Sequence, residues 1–399
     1  MSLQNTPRAN RLHIGLYGQR NSGKSSLLNA LTGQQFALVS DVAGTTTDPV
    51  YKSMELHGVG PVVWIDTAGF DDEGQLGALR VQKTEEALAR TDIALLLFSE
   101  FSAIEQEWLA KLKAKKTPVI PIINKADVRT PDAVNALTVQ IEEACGEKPL
   151  LVSAATGEGV KTVRDRIVRL LPEDYQADSI VGHLVQPGDT VLLVMPQDIQ
   201  APKGRLILPQ VQTIRELLDR KCTVVSTTAD GYETALERLK CPPDLIITDS
   251  QCFSQVYEKK PAASALTSFS ILMAASKGDL DVFIDSVSAL DKARGTFRVL
   301  IAEACTHVPL QEDIGTIKIP MLLRKQFGEQ VEITNVRGND FPKVEELKQY
   351  DLIIHCGACM FNRRHVLSRI AAAQEAGVPM TNYGIFLAYA AGILDKIQF

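Results

Sequence analysis

The sequence predicts an α/β protein of three domains, the first of them built on a mostly parallel sheet flanked by helices. Three observations predict it. Short apolar runs alternate with helical patterns along most of the 399 residues. A glycine-containing stretch, Gly18-Gln19-Arg20-Asn21-Ser22-Gly23-Lys24-Ser25, joins one such run to a helical pattern. Cysteine groups near the C-terminus fall just past two further runs, where parallel sheets place their ligands. The domains expected are 1–172, 173–265 and 266–399.

The first strand, Leu12 to Tyr17, leads into the glycine-containing stretch, and the pattern Ser26 to Leu31 reads as its helix. Strand, G-x-x-x-x-G-K-[ST] and helix together form a phosphate-binding loop. Glycines let backbone N–H groups turn inward onto phosphate oxygens, and the helix N-terminus adds partial positive charge. Lys24 can reach β- and γ-phosphates, and the Ser25 hydroxyl can bind Mg²⁺. The polar segment after the helix carries Gly44-Thr45-Thr46-Thr47-Asp48. Strands Tyr51–Leu56 and Pro61–Ile65 follow, the second ending in Asp66-Thr67-Ala68-Gly69. An Asp there can hold Mg²⁺ through water, and the Gly69 N–H can meet a γ-phosphate. Ile93–Phe98 and Val119–Ile123 are fully apolar strands, and Asn124-Lys125-Ala126-Asp127 follows the latter. Leu150 to Val152 leads into Ser153-Ala154, and a helical pattern from Val160 to Leu171 stops at Pro172.

This set, five motifs in order, resembles that of GTPases, and more narrowly the bacterial TrmE-Era-EngA group, on the strength of Gly-Thr-Thr-x-Asp and the loop Asn21. The resemblance implies a P-loop GTPase fold and selection of GTP over ATP. Asp127 would accept from the N1 and N2 hydrogens of guanine, a donor pair that adenine lacks. It implies a nucleotide site of Gly18, Asn21, Ser22, Gly23, Lys24, Ser25 and Ser26, of Thr46, Asp66 and Gly69, and of Asn124, Lys125, Asp127, Ser153 and Ala154. Lys24, Thr46 and Gly69 would act on the γ-phosphate, with Ser25, Thr46 and Asp66 around Mg²⁺. In that group the loop Asn implies activation by K⁺. Thr47 stands where those relatives usually carry Arg, and Phe70 where Ras-like GTPases place a water-orienting Gln. Slow intrinsic hydrolysis, or hydrolysis that needs another activator, is the expectation.

Composition narrows the class. Charged residues are 23% and aromatics 6%, and the net charge is −6. An acidic balance without a basic, aromatic-interleaved segment argues against nucleic acid as a partner. No apolar run approaches the roughly 18–20 residues of a membrane span, and Met1 to Asn10 lacks a signal-peptide core. A cytoplasmic location is expected. Seven cysteines in that compartment point to metal or thiol chemistry, or to packed thiols, rather than disulfides.

After a polar linker, the middle segment reads as strands Thr190–Met195, Thr223–Ser226 and Asp244–Thr248, with helices Leu208–Arg220 and Tyr232–Leu239. Cys222, Cys241 and Cys252 share no metal-ligand spacing there and read as packed thiols. A small α/β module without a site, with strands enough to extend a sheet across a two-fold axis, suits a homodimer.

In the third segment, Arg298–Ala304 is a strand ending in Cys305-Thr306-His307, and Asp351–Ile354 one ending in His355-Cys356-Gly357-Ala358-Cys359. The helix Arg364–Ala376 follows, and its N-terminus would stabilise negative charge. Three thiolates at converging positions suit an Fe–S cluster or zinc. His183 and His365 read as ordinary loop and helix histidines, and Arg363-Arg364 as a solvated pair.

Cys-x-His followed far downstream by His-Cys-x-x-Cys, behind an N-terminal GTPase, resembles the HydF family of FeFe-hydrogenase maturation GTPases across all three segments. The resemblance implies a 4Fe–4S cluster on Cys305, Cys356 and Cys359, with His307 or His355 as a fourth ligand or a flanking group. It implies a scaffold and carrier that takes a di-iron precursor from radical maturation enzymes and delivers it to the FeFe-hydrogenase catalytic subunit. The alternative weighed against it is a translation- or RNA-associated GTPase with a structural zinc site.

Overall fold

The computed structural model describes residues 11–33, 49–56, 59–70, 74–171, 179–195, 206–292, 295–304, 314–338, 340–358 and 361–398. They fall into two compact units, Met1–Gln176 and Ala177–Phe399.

In the first unit, β1 (Leu12–Gly18), β2 (Val50–Leu56), β3 (Gly60–Asp66), β4 (Ile93–Phe98), β5 (Val119–Ile123) and β6 (Leu150–Leu151) form one sheet in the order β2-β3-β1-β4-β5-β6. Only β2 is antiparallel to its neighbour. Every residue of β1 and β4 is buried, as a central strand covered on both faces requires. On one face Ile14, Leu16 and Leu95 pack against Leu27, Leu28 and Leu31 of the helix Lys24–Thr32 and against Val163 and Ile167 of the helix Val160–Arg169. On the other, Tyr17, Leu96 and Phe98 meet Trp108, Leu112 and Ile141 from the helices Ala103–Ala114 and Pro131–Cys145. Each such aliphatic side chain contributes about 1.5–3 kcal/mol by leaving water. The result is a three-layer doubly wound fold with its ligand loops on one edge. The strands and helices expected from the sequence are present, with ends shifted by one or two residues.

The second unit holds two all-parallel sheets. β7 (Thr190–Val194), β8 (Thr223–Thr227), β9 (Leu245–Thr248) and β10 (Ala265–Ser268) take the order β10-β9-β7-β8. β11 (Phe297–Glu303), β12 (Val331–Arg337), β13 (Leu352–His355) and β14 (Met380–Asn382) take the order β12-β11-β13-β14. One continuous core joins them: Leu192, Val194 and Ile246 of the first sheet belong to the same buried cluster as Leu300, Ile301, Ile353 and Ile354 of the second. The apolar run at Phe386 supplies the helix Tyr383–Ala390, six of whose eight residues are buried in this unit. No helix among the described residues is long and apolar enough to cross a membrane. Cys222 and Cys252 are buried, whereas Cys241, expected to be packed, is exposed.

Candidate functional sites

The phosphate loop leaves β1 at Gly18 and enters its helix at Lys24. Asn21 (φ 60°) and Gly23 (φ 90°) are left-handed, so the loop curls back on itself. A Cβ at Gly23 would stand 2.2 Å from Asn124 Nδ2, which is why no larger residue fits. Lys24 is only 8% exposed and lies over the loop, donating to the carbonyls of Gly18 and Gln19 at 2.8 Å each. Ser25 Oγ donates to Asp66 Oδ2 at 3.0 Å, so the two groups expected around Mg²⁺ stand together. Burial pushes the Asp66 carboxyl up from its usual range, and the Ser25 hydroxyl and Lys24 ammonium only partly offset this. A divalent cation would relieve that desolvation. Ser26 sits in the first helical turn.

Asn124 holds the guanine side of the site together. It is 3% exposed. Its Nδ2 donates to Ser22 O at 3.0 Å, and its Oδ1 accepts from Ala154 N at 3.2 Å. The phosphate loop, the end of β5 and Ser153-Ala154 are thereby one hydrogen-bonded unit. Lys125 is left-handed (φ 60°) and opens the short turn Ala126–Val128 that carries Asp127, whose side chain is exposed. Ser153 is fully buried, and its Oγ accepts from Thr156 N at 3.1 Å. Arg129 has no motif to announce it. It donates to Asn124 O at 3.2 Å and Ser99 O at 2.9 Å, bracing the ends of β5 and β4. Phe70 turns into the core and stacks on Trp108 with centroids 4.7 Å apart, so it presents nothing polar to an attacking water. Gly69 lies between it and Ala68, at the end of β3. Thr46 and Thr47 lie outside the described residues.

The second candidate site lies where β11 and β13 end side by side. Their register pairs Ala302 with His355, and Cys356 N donates to Ala302 O at 2.9 Å. Cys356 Sγ accepts N–H groups from Ala304 at 3.0 Å and Ala358 at 3.4 Å. Backbone N–H groups aimed at a cysteine sulfur are the surroundings a thiolate ligand needs, so this residue fits the expected cluster chemistry. Cys305 is the next residue after Ala304; it, His307 and Cys359 lie outside the described residues. Among the described residues no group of three His, Cys, Asp or Glu side chains converges on a metal position.

His355 is buried with both ring nitrogens engaged. Arg369 Nη1 is always a donor, so Nε2 at 2.9 Å accepts. Nδ1 therefore carries the proton and donates to Cys356 O at 2.7 Å. Burial, then the Arg369 guanidinium, pulls the His355 pKa down to about 3. Arg369 lies between the rings of Phe341 and Phe361, at 4.7 and 4.6 Å from their centroids, and also donates to Gly338 O. Asn362 caps the following helix, Arg363–Ala376, by accepting from His365 N at 3.2 Å, and His365 stacks on Phe361.

Comparison with known proteins fits this picture. Residues 13–125 match the model of the 50S ribosome-binding GTPase family, and the first unit is a GTPase domain. The GTPase Der of Wolinella succinogenes is 34% identical over 172 residues, covering 40% of this chain and 36% of Der. The tRNA modification GTPase MnmE of Paraburkholderia xenovorans is 33% identical over 173 residues, covering 42% of this chain and 36% of MnmE. The chain thus spans about a third of the length of these curated relatives. Among solved structures, Aquifex aeolicus Era bound to GDP and AlF₄⁻ matches with a TM-score of 0.37 and 20% identity, covering 56% of this chain and 97% of Era. Residues 180–278 match the hydrogen maturase F dimerization domain and residues 281–398 its tetramerization domain. Two hydrogen maturase F models, end to end, account for more than half of the sequence, and the chain belongs to the hydrogen maturase F family.

Proposed function

We propose that this chain is a GTP-hydrolysing scaffold of FeFe-hydrogenase maturation, cytoplasmic and self-associating, that holds a 4Fe–4S cluster on Cys305, Cys356 and Cys359. The observation that carries the cluster reading is the pair of N–H groups on Cys356 Sγ at the joined ends of β11 and β13. When bound, the cluster would supply an iron with a coordination position not filled by cysteine, suited to a di-iron cargo taken from radical maturation enzymes and passed to apo-hydrogenase. His355 has the flanking role in this reading, because neither ring nitrogen is spare. His307 is then the histidine left for that fourth position.

On the nucleotide side, Lys24 would exchange the carbonyls of Gly18 and Gln19 for phosphate oxygens. Ser25 and Asp66, with Thr46, would hold Mg²⁺, which neutralises charge on the phosphates. Asp127 would read guanine, and Asn124 would hold that reader in register with the loop. With Phe70 packed on Trp108, no side chain at that position orients water, which fits slow turnover of a switch. Anaerobic purification with iron, sulfide and GTP-turnover assays tests the whole reading. Iron and acid-labile sulfide in a brown, GTP-hydrolysing protein are expected. A colourless protein with stoichiometric zinc would overturn the cluster.

A further inference from the structure

Lys277 ends the helix Phe269–Lys277, in the segment matched by the dimerization model. It is 7% exposed. A buried ammonium is costly unless its N–H groups are satisfied. This one reaches across to the cysteine loop, in the segment matched by the tetramerization model. Its Nζ donates to Phe361 O at 2.8 Å and to Ala358 O at 3.2 Å. The same Ala358 carbonyl accepts from Phe361 N at 3.0 Å. Lys277 thus grips both residues of that pair. The helix that carries it also lies against the loop, since a Cβ at Gly357 would be 3.8 Å from Met273 Cβ.

The loop needs such a grip. Ala358 is left-handed (φ 51°) and 2% exposed, a conformation that costs a non-glycine residue about 1–3 kcal/mol and persists only when its surroundings enforce it. Its N–H is one of the two donors on Cys356 Sγ, so the strained residue and the sulfur are placed together. On the other side, Asn382 Nδ2 and His355 Nδ1 hold Cys356 O at 3.3 and 2.7 Å.

We propose that Lys277 is a positioning residue for the cysteine loop: it clamps Ala358 O and Phe361 O and so fixes the Ala358 N–H on Cys356 Sγ beside the end of β11. The inference rests on the cluster reading for its purpose but not for its geometry, so it is tested with and without iron. The full chain is prepared metal-free as wild type, Lys277→Met and Lys277→Arg. Alkylation of Cys356 by iodoacetamide is followed by mass spectrometry, with the exposed Cys241 as internal reference. Each protein is then reconstituted with ferrous iron and sulfide, and iron per chain and the EPR spectrum of the reduced state are recorded.

Lys277→Met should alkylate at Cys356 about fivefold faster relative to Cys241, the scale of a lost buried hydrogen bond. It should also hold less than about half the wild-type iron, with an altered EPR line shape. Lys277→Arg, which keeps charged donors, should restore all three. A lysine that merely packs would lower the melting temperature and leave the alkylation ratio and EPR spectrum alone. Wild-type alkylation and iron in Lys277→Met would overturn the clamp. If Lys277→Met does not fold, Lys277→Gln carries the same comparison. If wild type takes up no iron, the cluster reading falls and the alkylation ratio alone decides the clamp.

Discussion

Asn124 does two things with one amide: it anchors the phosphate loop through Ser22 O and receives Ala154 N. Asp127, three residues on, is exposed and spends nothing on the fold, so its substitution should change recognition alone. Asp127→Asn should weaken GTP use on the order of tenfold to a hundredfold, as loss of charge-assisted hydrogen bonds implies. It should improve use of xanthosine triphosphate, whose C2 carbonyl accepts from the new amide; wild-type-like discrimination in competition kinetics would refute the assignment. Asn21 asks for more care. It is left-handed, where alanine is strained and glycine is not, so Asn21→Gly is the cleaner deletion of the amide. Turnover should be faster in potassium than in sodium for wild type and equal in both for Asn21→Gly, read by phosphate release. Candidate nucleotide residues could be named from the sequence because phosphate and guanine chemistry demand fixed residue types at fixed spacing. Arg129, Lys277 and Arg369 could not, because they donate to backbone carbonyls that any residue offers.

At the scale of elements, apolar runs such as β1, β4 and β5 announced themselves, since a strand buried on both faces has few polar positions. β10, β12 and β14 did not. β14 has only three residues, Met380–Asn382, and β12, on a sheet edge, buries only Val331 of its seven. β10 and β14 take their extended state from register against neighbours rather than from their own composition. Junctions carry tighter demands. Gly159 starts the helix Val160–Arg169 at φ 74°, and a Cβ there would be 2.2 Å from Leu151 O. Gly159→Ala should therefore cost about 1–3 kcal/mol. For a domain of this size that is several degrees in the melting temperature of the first unit. GTP affinity should fall with it, since Leu151 leads into Ser153-Ala154. An unchanged melting curve and Kd would contradict this account of the junction.

At the scale of the molecule, the phosphate loop and the cysteines proposed to hold a cluster fall in different compact units. Cys305→Ser replaces a soft thiolate with a hydroxyl and should lose the cluster while keeping most GTP turnover. Lys24→Ala removes the main cation facing the phosphates and should abolish turnover while iron stays near wild type. Iron loss in Lys24→Ala, or turnover loss in folded Cys305→Ser, would show that the sites are one functional unit. The alternation of strands and helices was readable along the sequence, and it was read as three domains where the chain forms two compact units. That both sheets of the second unit share one core was not readable, because shared burial leaves no mark on periodicity. The shared core has a consequence for anyone who would take the chain apart. Dividing the chain between Gln176 and Ala177 separates no buried cluster among the described residues. Severing the chain near residue 280, where one family segment gives way to the other, would instead lay bare Leu192, Ile246 and Phe253 on one fragment and Leu300 and Ile353 on the other. Those fragments should precipitate apart and dissolve only when expressed together, so inheritance of the two segments is tied: neither can be shuffled into another protein without its companion.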